Sequence, residues 1–274
     1  MDWRQRFEDR PLIMGILNVT PDSFADGGAR FDPDRAIADA VRMVADGADI
    51  LDIGGESTRP GAAPVSVEEE LRRIEPVIEG LRGRVDAPIS IDTYKAAVAE
   101  RAIDLGATIV NDISALSYDP GLAGVVARRR AAVVLMHTRG RSREMYANAS
   151  YTDVVADVSA ELMARVQVAE AAGISAQRII LDPGLGFAKQ ADATLRLLAH
   201  LDLIGELGFP VLSGPSRKSF LRIALGDVPP AGRVWGTAAA VTASVLHGAH
   251  IVRVHDVAEM VQVARVADSI LGSM

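Results

Sequence analysis

The sequence predicts a (β/α)8 barrel, and three observations carry the prediction. Short apolar runs rich in β-branched residues alternate with longer amphipathic stretches along the chain. Eight such runs divide the chain into units of roughly 34 residues, the size of a strand–helix pair in such barrels. The runs are apolar on both faces, as strands buried in a parallel sheet are. No low-complexity linker interrupts the pattern, so residues 1–274 are expected to form one domain.

The elements follow in order. Leu12–Val19 is the first strand, and Thr20–Asp32 is a polar loop carrying Gly27 and Gly28. Pro33–Asp46 reads as a helix, with Pro near its start, Ile37, Val41 and Val44 on one face, and Gly47 at its end. Ile50–Ile53 is the second strand, followed by the loop Glu56–Ser66. Val67–Leu81 has Glu68, Glu69 and Glu70 in its first turn, where acids complement the helix dipole. Ile89–Ile91 leads to a helix over Tyr94–Leu105, stopped by Gly106. Thr108–Val110 and Ala132–Met136 are the next strands, with no helix assigned between them. Asp153–Ala172 runs to Gly173, then Ile179–Leu181, then a helix Thr194–Leu207 ending at Gly208. Pro210–Leu212, a helix Thr237–Leu246, Ile251–Val254 and a helix Val257–Leu271 complete the chain.

Composition narrows the function. A net charge of −7 without a block of like charge gives no reason to expect nucleic acid or an anionic membrane as partner. The sequence has no cysteine, which excludes disulfides and thiolate metal sites. Residues 1–10 are mixed in charge and lack a signal-peptide pattern. The most apolar stretch, Thr237 to Val254, is broken by His247, His250 and Arg253 and makes a poor membrane span. The expectation is a soluble cytoplasmic protein acting on small molecules.

A barrel places chemistry at the C-terminal ends of its strands. Those ends carry Asn18, Glu56, Asp92, Asn111, His137, Asp182, Lys218, and Arg253 with His255. Taken singly, each reads as a cap or an internal hydrogen bond, and Asp52 and His137 are assigned that way. Eight polar ends at one mouth exceed what capping requires. The stretch Asp182–Pro183–Gly184–Leu185–Gly186–Phe187 puts an acid, a bare backbone and an aromatic ring together. Such a cradle suits a flat, nitrogen-rich ring.

The wording of these stretches is also specific. Met14–Gly15–Ile16–Leu17–Asn18–Val19–Thr20–Pro21–Asp22–Ser23–Phe24 is followed by Asp52–Ile53–Gly54–Gly55–Glu56–Ser57–Thr58–Arg59–Pro60–Gly61. Ser90–Ile91–Asp92–Thr93, Val110–Asn111–Asp112, the Asp182 stretch, Ser216–Arg217–Lys218–Ser219 and Arg253–Val254–His255 come in turn. Together they resemble the dihydropteroate synthase family over nearly the whole chain. That resemblance implies a folate-pathway transferase that sulfonamides inhibit. It would join 6-hydroxymethyl-7,8-dihydropterin diphosphate to p-aminobenzoate, with loss of diphosphate, by a dissociative step that Mg²⁺ assists.

By the same resemblance, Asp92, Asn111 and Asp182 would accept hydrogen bonds from the pterin, and Lys218 would meet its oxygen and N5. Met136 and Phe187 would pack on the ring faces, beside Gly214. Arg253, His255 and Asn18 would meet the diphosphate, Asn18 as the Mg²⁺ contact. Lys218, Arg253 and Asp182 are the expected catalytic residues. Thr58, Arg59 and Pro60 would line the p-aminobenzoate pocket, and Ser219, at the start of a helix, would receive its carboxylate. Arg217 is expected to support the Lys218 turn. The loops Thr20–Asp32 and Glu56–Ser66 would close over the diphosphate. A homodimer is implied, with Thr237–Leu246 a candidate interface. Three alternatives stand beside this reading: a pterin-binding methyltransferase, a non-catalytic pterin binder, and a barrel serving only as an assembly surface. The Ser57–Thr58–Arg59–Pro60–Gly61 loop argues against the first. Retention of Asn18, Arg59, Lys218 and Arg253 argues against the second, and the intact set of polar strand ends argues against the third. Ala188, Gln190 and Leu135–Gly140 depart from the family's commoner wording without touching a position assigned as essential.

Overall fold

Eight short parallel strands form the centre of the computed structural model, which describes residues 10–20, 32–57, 61–141, 146 and 149–274. They are β1 Leu12–Asn18, β2 Ile50–Gly54, β3 Ile89–Asp92, β4 Ile109–Asp112, β5 Ala132–Met136, β6 Ile179–Asp182, β7 Leu212–Ser213 and β8 Ile251–Val254. The strand order is β6-β5-β4-β3-β2-β1-β8-β7. A parallel bridge between Leu181 and Val211 joins the two ends of that order, so the sheet closes on itself. This is the expected (β/α)8 barrel, with every ladder parallel.

The helices start and stop where the chain supplies partners for their free backbone groups. In α1, Pro33–Ala45, the Asp32 carboxylate accepts from Asp34 N at 3.0 Å, and Pro33 occupies the first turn. Ser66 caps α2, Val67–Leu81, by accepting from Glu69 N at 3.2 Å. Asp153 caps α5, Val154–Ala171, in the same way. Gly106 closes α3, Ala96–Leu105, at φ 119°, a conformation that favours a residue without Cβ. The last helix, α10 Val257–Leu271, packs along α9, Val234–Leu246.

Several boundaries differ from those expected of the sequence. The chain between β4 and β5 forms a helix, α4 Leu122–Arg129. Only Leu122, Val125 and Val126 of it are buried, too narrow an apolar stripe to read from the sequence. Tyr94 and Lys95 precede α3 because their side chains turn to Glu56. The expected helix Thr194–Leu207 is two pieces, α6 Ala191–Ala199 and α7 Leu201–Gly205, interrupted at His200 (φ −129°). The helix expected to start at Thr237 begins at Val234.

Two layers of core follow from the strand pleat. Leu12, Met14, Ile50, Ile109, Ala132, Val134, Ile180, Leu212 and Ile251 form one cluster inside the barrel. Their neighbours in sequence, among them Ile13, Leu51, Val110, Val133, Leu181 and Val252, pack outward against the helices. Alternate strand residues share a face. Counting two residues on from the inner cluster therefore gives Asp52, Asn111, Met136, Asp182, Gly214 and Arg253. Asn18 shares the parity of Met14, and Asp92 lies one strand over from Gly54. The apolar plug fills the bottom of the barrel, and the layer above it is polar.

Candidate active site

A buried hydrogen-bonded array of charges crosses the mouth. Arg253, on β8, donates from Nε to Asp52 Oδ2 at 2.6 Å and from a terminal nitrogen to Asp92 Oδ2 at 2.7 Å. Asn111 Nδ2 donates to the same Asp52 oxygen at 2.8 Å. Four strands are thus tied across the barrel by side chains alone. Asp52 Oδ1 and Asp92 Oδ1 are buried and find no hydrogen-bond partner among the described residues. An unmet buried acceptor is costly, so each calls for a donor from an ordered water or a ligand.

Asp182 closes the other side. Its Oδ1 accepts from Gly184 N at 2.7 Å, which bends the chain directly after β6. Lys218 Nζ donates to Leu185 O at 2.6 Å and lies 4.5 Å from the centre of the Phe187 ring. Gly214 fits between Lys218 and Arg253. A Cβ there would lie 3.7 Å from Lys218 Nζ and 3.9 Å from Arg253 Cβ. Met136 pairs in register with Asp182 at the end of β5 and is buried.

Burial dominates the electrostatics. It pushes the carboxyls of Asp182 and Asp92 above the usual range, against the pull of Lys218 on the first and Arg253 on the second. It pushes the Lys218 ammonium down to about 8, with Asp182 opposing. Burial also works against charge on Arg253, but Asp52 and Asp92 outweigh it and hold that guanidinium charged. Asp52, Asp92 and Asp182 face two cations across this mouth, Arg253 and Lys218. The surroundings favour a ligand that brings N–H donors or positive charge.

The remaining assignments divide. Arg253, at the mouth as expected, directs two of its nitrogens at carboxylates, Nε at Asp52 and a terminal nitrogen at Asp92. His255 lies beside the mouth, its Nδ1 3.0 Å from Ser216 Oγ, and the residue capping α10 is Asp256. Arg217, at φ 59°, pairs with Asp256 through Nε at 3.0 Å and receives Arg233 on its carbonyl, which shapes the turn before Lys218. Ser219 does not begin a long helix. It opens a three-residue 3₁₀ turn, Ser219–Leu221, ahead of the short α8 Arg222–Leu225, and its side chain is exposed. Glu56 faces away from the site. It accepts from Val65 N at 2.9 Å, from Tyr94 OH at 2.8 Å and from Lys95, which also pairs with buried Glu70. His137 holds a structural bond, as expected, with Nε2 2.9 Å from Glu161. Thr58, Arg59, Pro60 and most of Thr20–Asp32 lie outside the described residues.

Asn18 is the last residue of β1, half-buried, beside Gly54. Among the described residues no group of three or more acidic, His or Cys side chains could hold a metal. A lone amide oxygen fits a hard cation that keeps its waters and takes further oxygens from a phosphorylated ligand, as Mg²⁺ does.

Sequence reasoning misses Lys189. It is 2% exposed, and burial pushes its ammonium down to about 7. Its Nζ sits against His137 Nδ1 at 2.8 Å, Phe187 O at 3.0 Å and Gly184 O at 3.1 Å. One signal points to it. The chain has just three lysines, Lys95, Lys189 and Lys218, among many arginines, and all follow closely on strand ends.

Comparison with known proteins agrees with this geometry. The pterin-binding enzyme family matches residues 14–255. A dihydropteroate synthase of Synechocystis sp. is 47% identical over 269 residues, covering 98% of this chain and 92% of that protein. The solved dihydropteroate synthase of Xanthomonas albilineans with 4-aminobenzoic acid superposes with a TM-score of 0.90 at 47% identity, covering 96% of this chain and 93% of that one. The same organism's enzyme in complex with 7,8-dihydropteroate gives 0.87 at 44%, covering 96% and 94%. A barrel whose inward layer turns from apolar to this set of carboxylates, amide and cations, matched along its length by such relatives, belongs to the dihydropteroate synthase family of pterin-binding enzymes, which are transferases.

Proposed function

We propose that the protein condenses 6-hydroxymethyl-7,8-dihydropterin diphosphate with p-aminobenzoate to give 7,8-dihydropteroate and diphosphate. The observation that carries the reading is the pair of buried acceptors without donors, Asp52 Oδ1 and Asp92 Oδ1, in an acid-rich mouth. A pterin's 2-amino and ring N–H groups are donors of the required kind. Asp92, Asp182 and Asn111 would bind that edge, Lys218 would donate to the ring oxygen and N5, and Phe187 and Met136 would flank the ring.

The step suited to this site is dissociative. The C–O bond to the diphosphate breaks, and both electrons leave with the diphosphate. The positive charge left on the pterin methylene spreads into the ring. Three carboxylates against two cations favour that charge, because the ring N–H groups that donate to Asp92 and Asp182 become more acidic as it grows. The arylamine nitrogen then forms the new C–N bond and loses a proton to solvent or diphosphate. Bound at Asn18 and the diphosphate, Mg²⁺ would supply neutralisation of the leaving group's charge. Phe187 and the Thr58–Pro60 segment would hold p-aminobenzoate in line. A cytoplasmic homodimer completes the reading. In its support, α9 and α10 expose Trp235 (80%) and Val266 (62%), and no helix of the described residues is long and apolar enough to cross a membrane.

The test is direct. Purified protein with the pterin diphosphate, Mg²⁺ and p-aminobenzoate should form 7,8-dihydropteroate, identified by mass. Absence of product, with a known synthase active in the same mixture, would overturn the reading.

A further inference from the structure

The loop after β6 is held by its carbonyls. Gly184 O and Phe187 O accept from Lys189, Leu185 O from Lys218, Gly186 O from Tyr146 OH at 3.2 Å, and Ala188 O from Tyr151 OH at 2.9 Å. Five consecutive carbonyls therefore end on side chains from other parts of the barrel or from the loop's own far end. Lys218 grips the loop from the site, and Lys189 grips it from behind.

The chemistry of the rear grip is specific to lysine. His137 Nε2 faces the Glu161 carboxylate, so its proton lies on Nε2 and Nδ1 presents a lone pair. Burial keeps this imidazole neutral, its pKa pushed down to about 4. Lys189 therefore meets acceptors only: His137 Nδ1, Gly184 O, Phe187 O and, at 3.4 Å, His137 O. An ammonium has three protons to offer to such a set, a neutral amine two. A planar guanidinium could not converge on four atoms around a point. The fit leaves no slack, since a Cβ on Gly184 would come within 2.0 Å of His137 O and 3.4 Å of Lys189 Nζ.

We propose that Lys189 is a positioning residue. It fixes the 184–187 carbonyls, and through them it sets the Phe187 ring that forms one wall for p-aminobenzoate and the Leu185 carbonyl that Lys218 uses. The inference rests on the proposed function for the identity of that second substrate. Of the residues proposed to meet the pterin, Asp92 and Asn111 stand on other strands and do not depend on Lys189, whereas Asp182, Phe187 and Lys218 touch the loop it holds.

The experiment compares wild type, Lys189→Met and Tyr151→Phe by two readouts. The first is amide hydrogen exchange across residues 183–188 without ligands. The second is steady-state kinetics with each substrate varied in turn. Lys189→Met should exchange at Gly184 and Phe187 at least about tenfold faster, with α5 and α10 unchanged. Its KM for p-aminobenzoate should rise about tenfold or more, and by a larger factor than that for the pterin diphosphate, which keeps Asp92 and Asn111. Tyr151→Phe, which removes a single bond to the same loop and leaves the packing, should move both readouts the same way by less, and it serves if Lys189→Met does not fold. A fall in kcat alone, with neither exchange nor the p-aminobenzoate KM moved, is what loss of folded enzyme would give and overturns the proposal. So does faster exchange with both KM values unchanged. A wild type that makes no dihydropteroate overturns the function instead, and the exchange readout then still decides whether Lys189 holds the loop.

Discussion

Lys218→Met should abolish turnover without weakening the fold. Each pKa unit is worth ~1.4 kcal/mol, so keeping the Lys218 ammonium charged at about 8 instead of the free value of 10.5 costs the folded protein about 3 kcal/mol at pH 7. Methionine removes that cost and fills a similar volume. Against this, the bond to Leu185 O at 2.6 Å and the cation over the Phe187 ring are lost, together about 2–3 kcal/mol. The variant should therefore match wild type at pH 7 or exceed it by up to ~1 kcal/mol, while kcat/KM falls by about a hundredfold or more. The pH dependence gives a second signature. The folded pKa lies below the unfolded one, so between about 8 and 10.5 the unfolded chain binds more protons and wild-type stability gains as pH rises. The variant lacks this gain, and Lys189, held down by burial and in part by the Lys218 charge, moves toward its free value and gives up part of its own. Urea denaturation of both proteins at pH 7 and pH 10, with turnover measured at pH 7, tests all of this. A variant that loses more than ~2 kcal/mol at pH 7, or keeps turnover within about tenfold, would refute the reasoning.

Other expectations follow from the same geometry. Arg253→Met strands Asp52 and Asp92 without their shared cation and should cost about 3–5 kcal/mol in urea denaturation. The loss should be smaller at pH 5 than at pH 8, because the folded Asp92 carboxyl already titrates above its free value and protonation relieves the unpaired charge. Gly184→Ala meets both a positive φ of 67° and the His137 carbonyl, and it should cost at least ~3 kcal/mol in thermal melts. Gly83→Ala, at φ 70° with nothing nearby, should cost only about 1 kcal/mol. Chelating Mg²⁺ should raise the KM for the pterin diphosphate about tenfold or more and leave the stability of the ligand-free protein unchanged. Sulfonamides should compete with p-aminobenzoate, and purely noncompetitive kinetics would contradict the pocket.

Much of the fold and part of the site are legible in the sequence for one physical reason. Strand side chains repeat every two residues, and the barrel interior is a stack of such layers. Ile50, Ile109, Ile180 and Ile251 mark the inner face, and Asp52, Asn111, Asp182 and Arg253 stand two residues on. That offset places Asp52 among the inner residues of the mouth, and its internal bonds, expected from its position within a strand, go to Asn111 and Arg253. What the period does not encode is direction after the strand ends. Glu56 lies two residues beyond Gly54, yet it turns to Val65, Tyr94 and Lys95. Ser219 and the α6–α7 break depend on local turns, where no periodicity remains to read.

The lysines show where further information lies. Arginine supplies nearly all of the positive charge in this chain, on the surface and in the Arg253 array alike. A surface ion pair tolerates either cation, so Arg42, Arg72 and Arg101 in exposed pairs say little. Lysine stands where several acceptors converge on a point and a plane would not fit. Lys95 lies between the carboxylates of Glu56 and Glu70, Lys189 among a ring nitrogen and three carbonyls, and Lys218 between a carbonyl and an aromatic face. Each follows a strand end and ties one loop of the mouth to its neighbour. The rarity of a residue type in one chain can thus mark positions whose geometry only that type satisfies, and in this chain that rarity alone singles out Lys189.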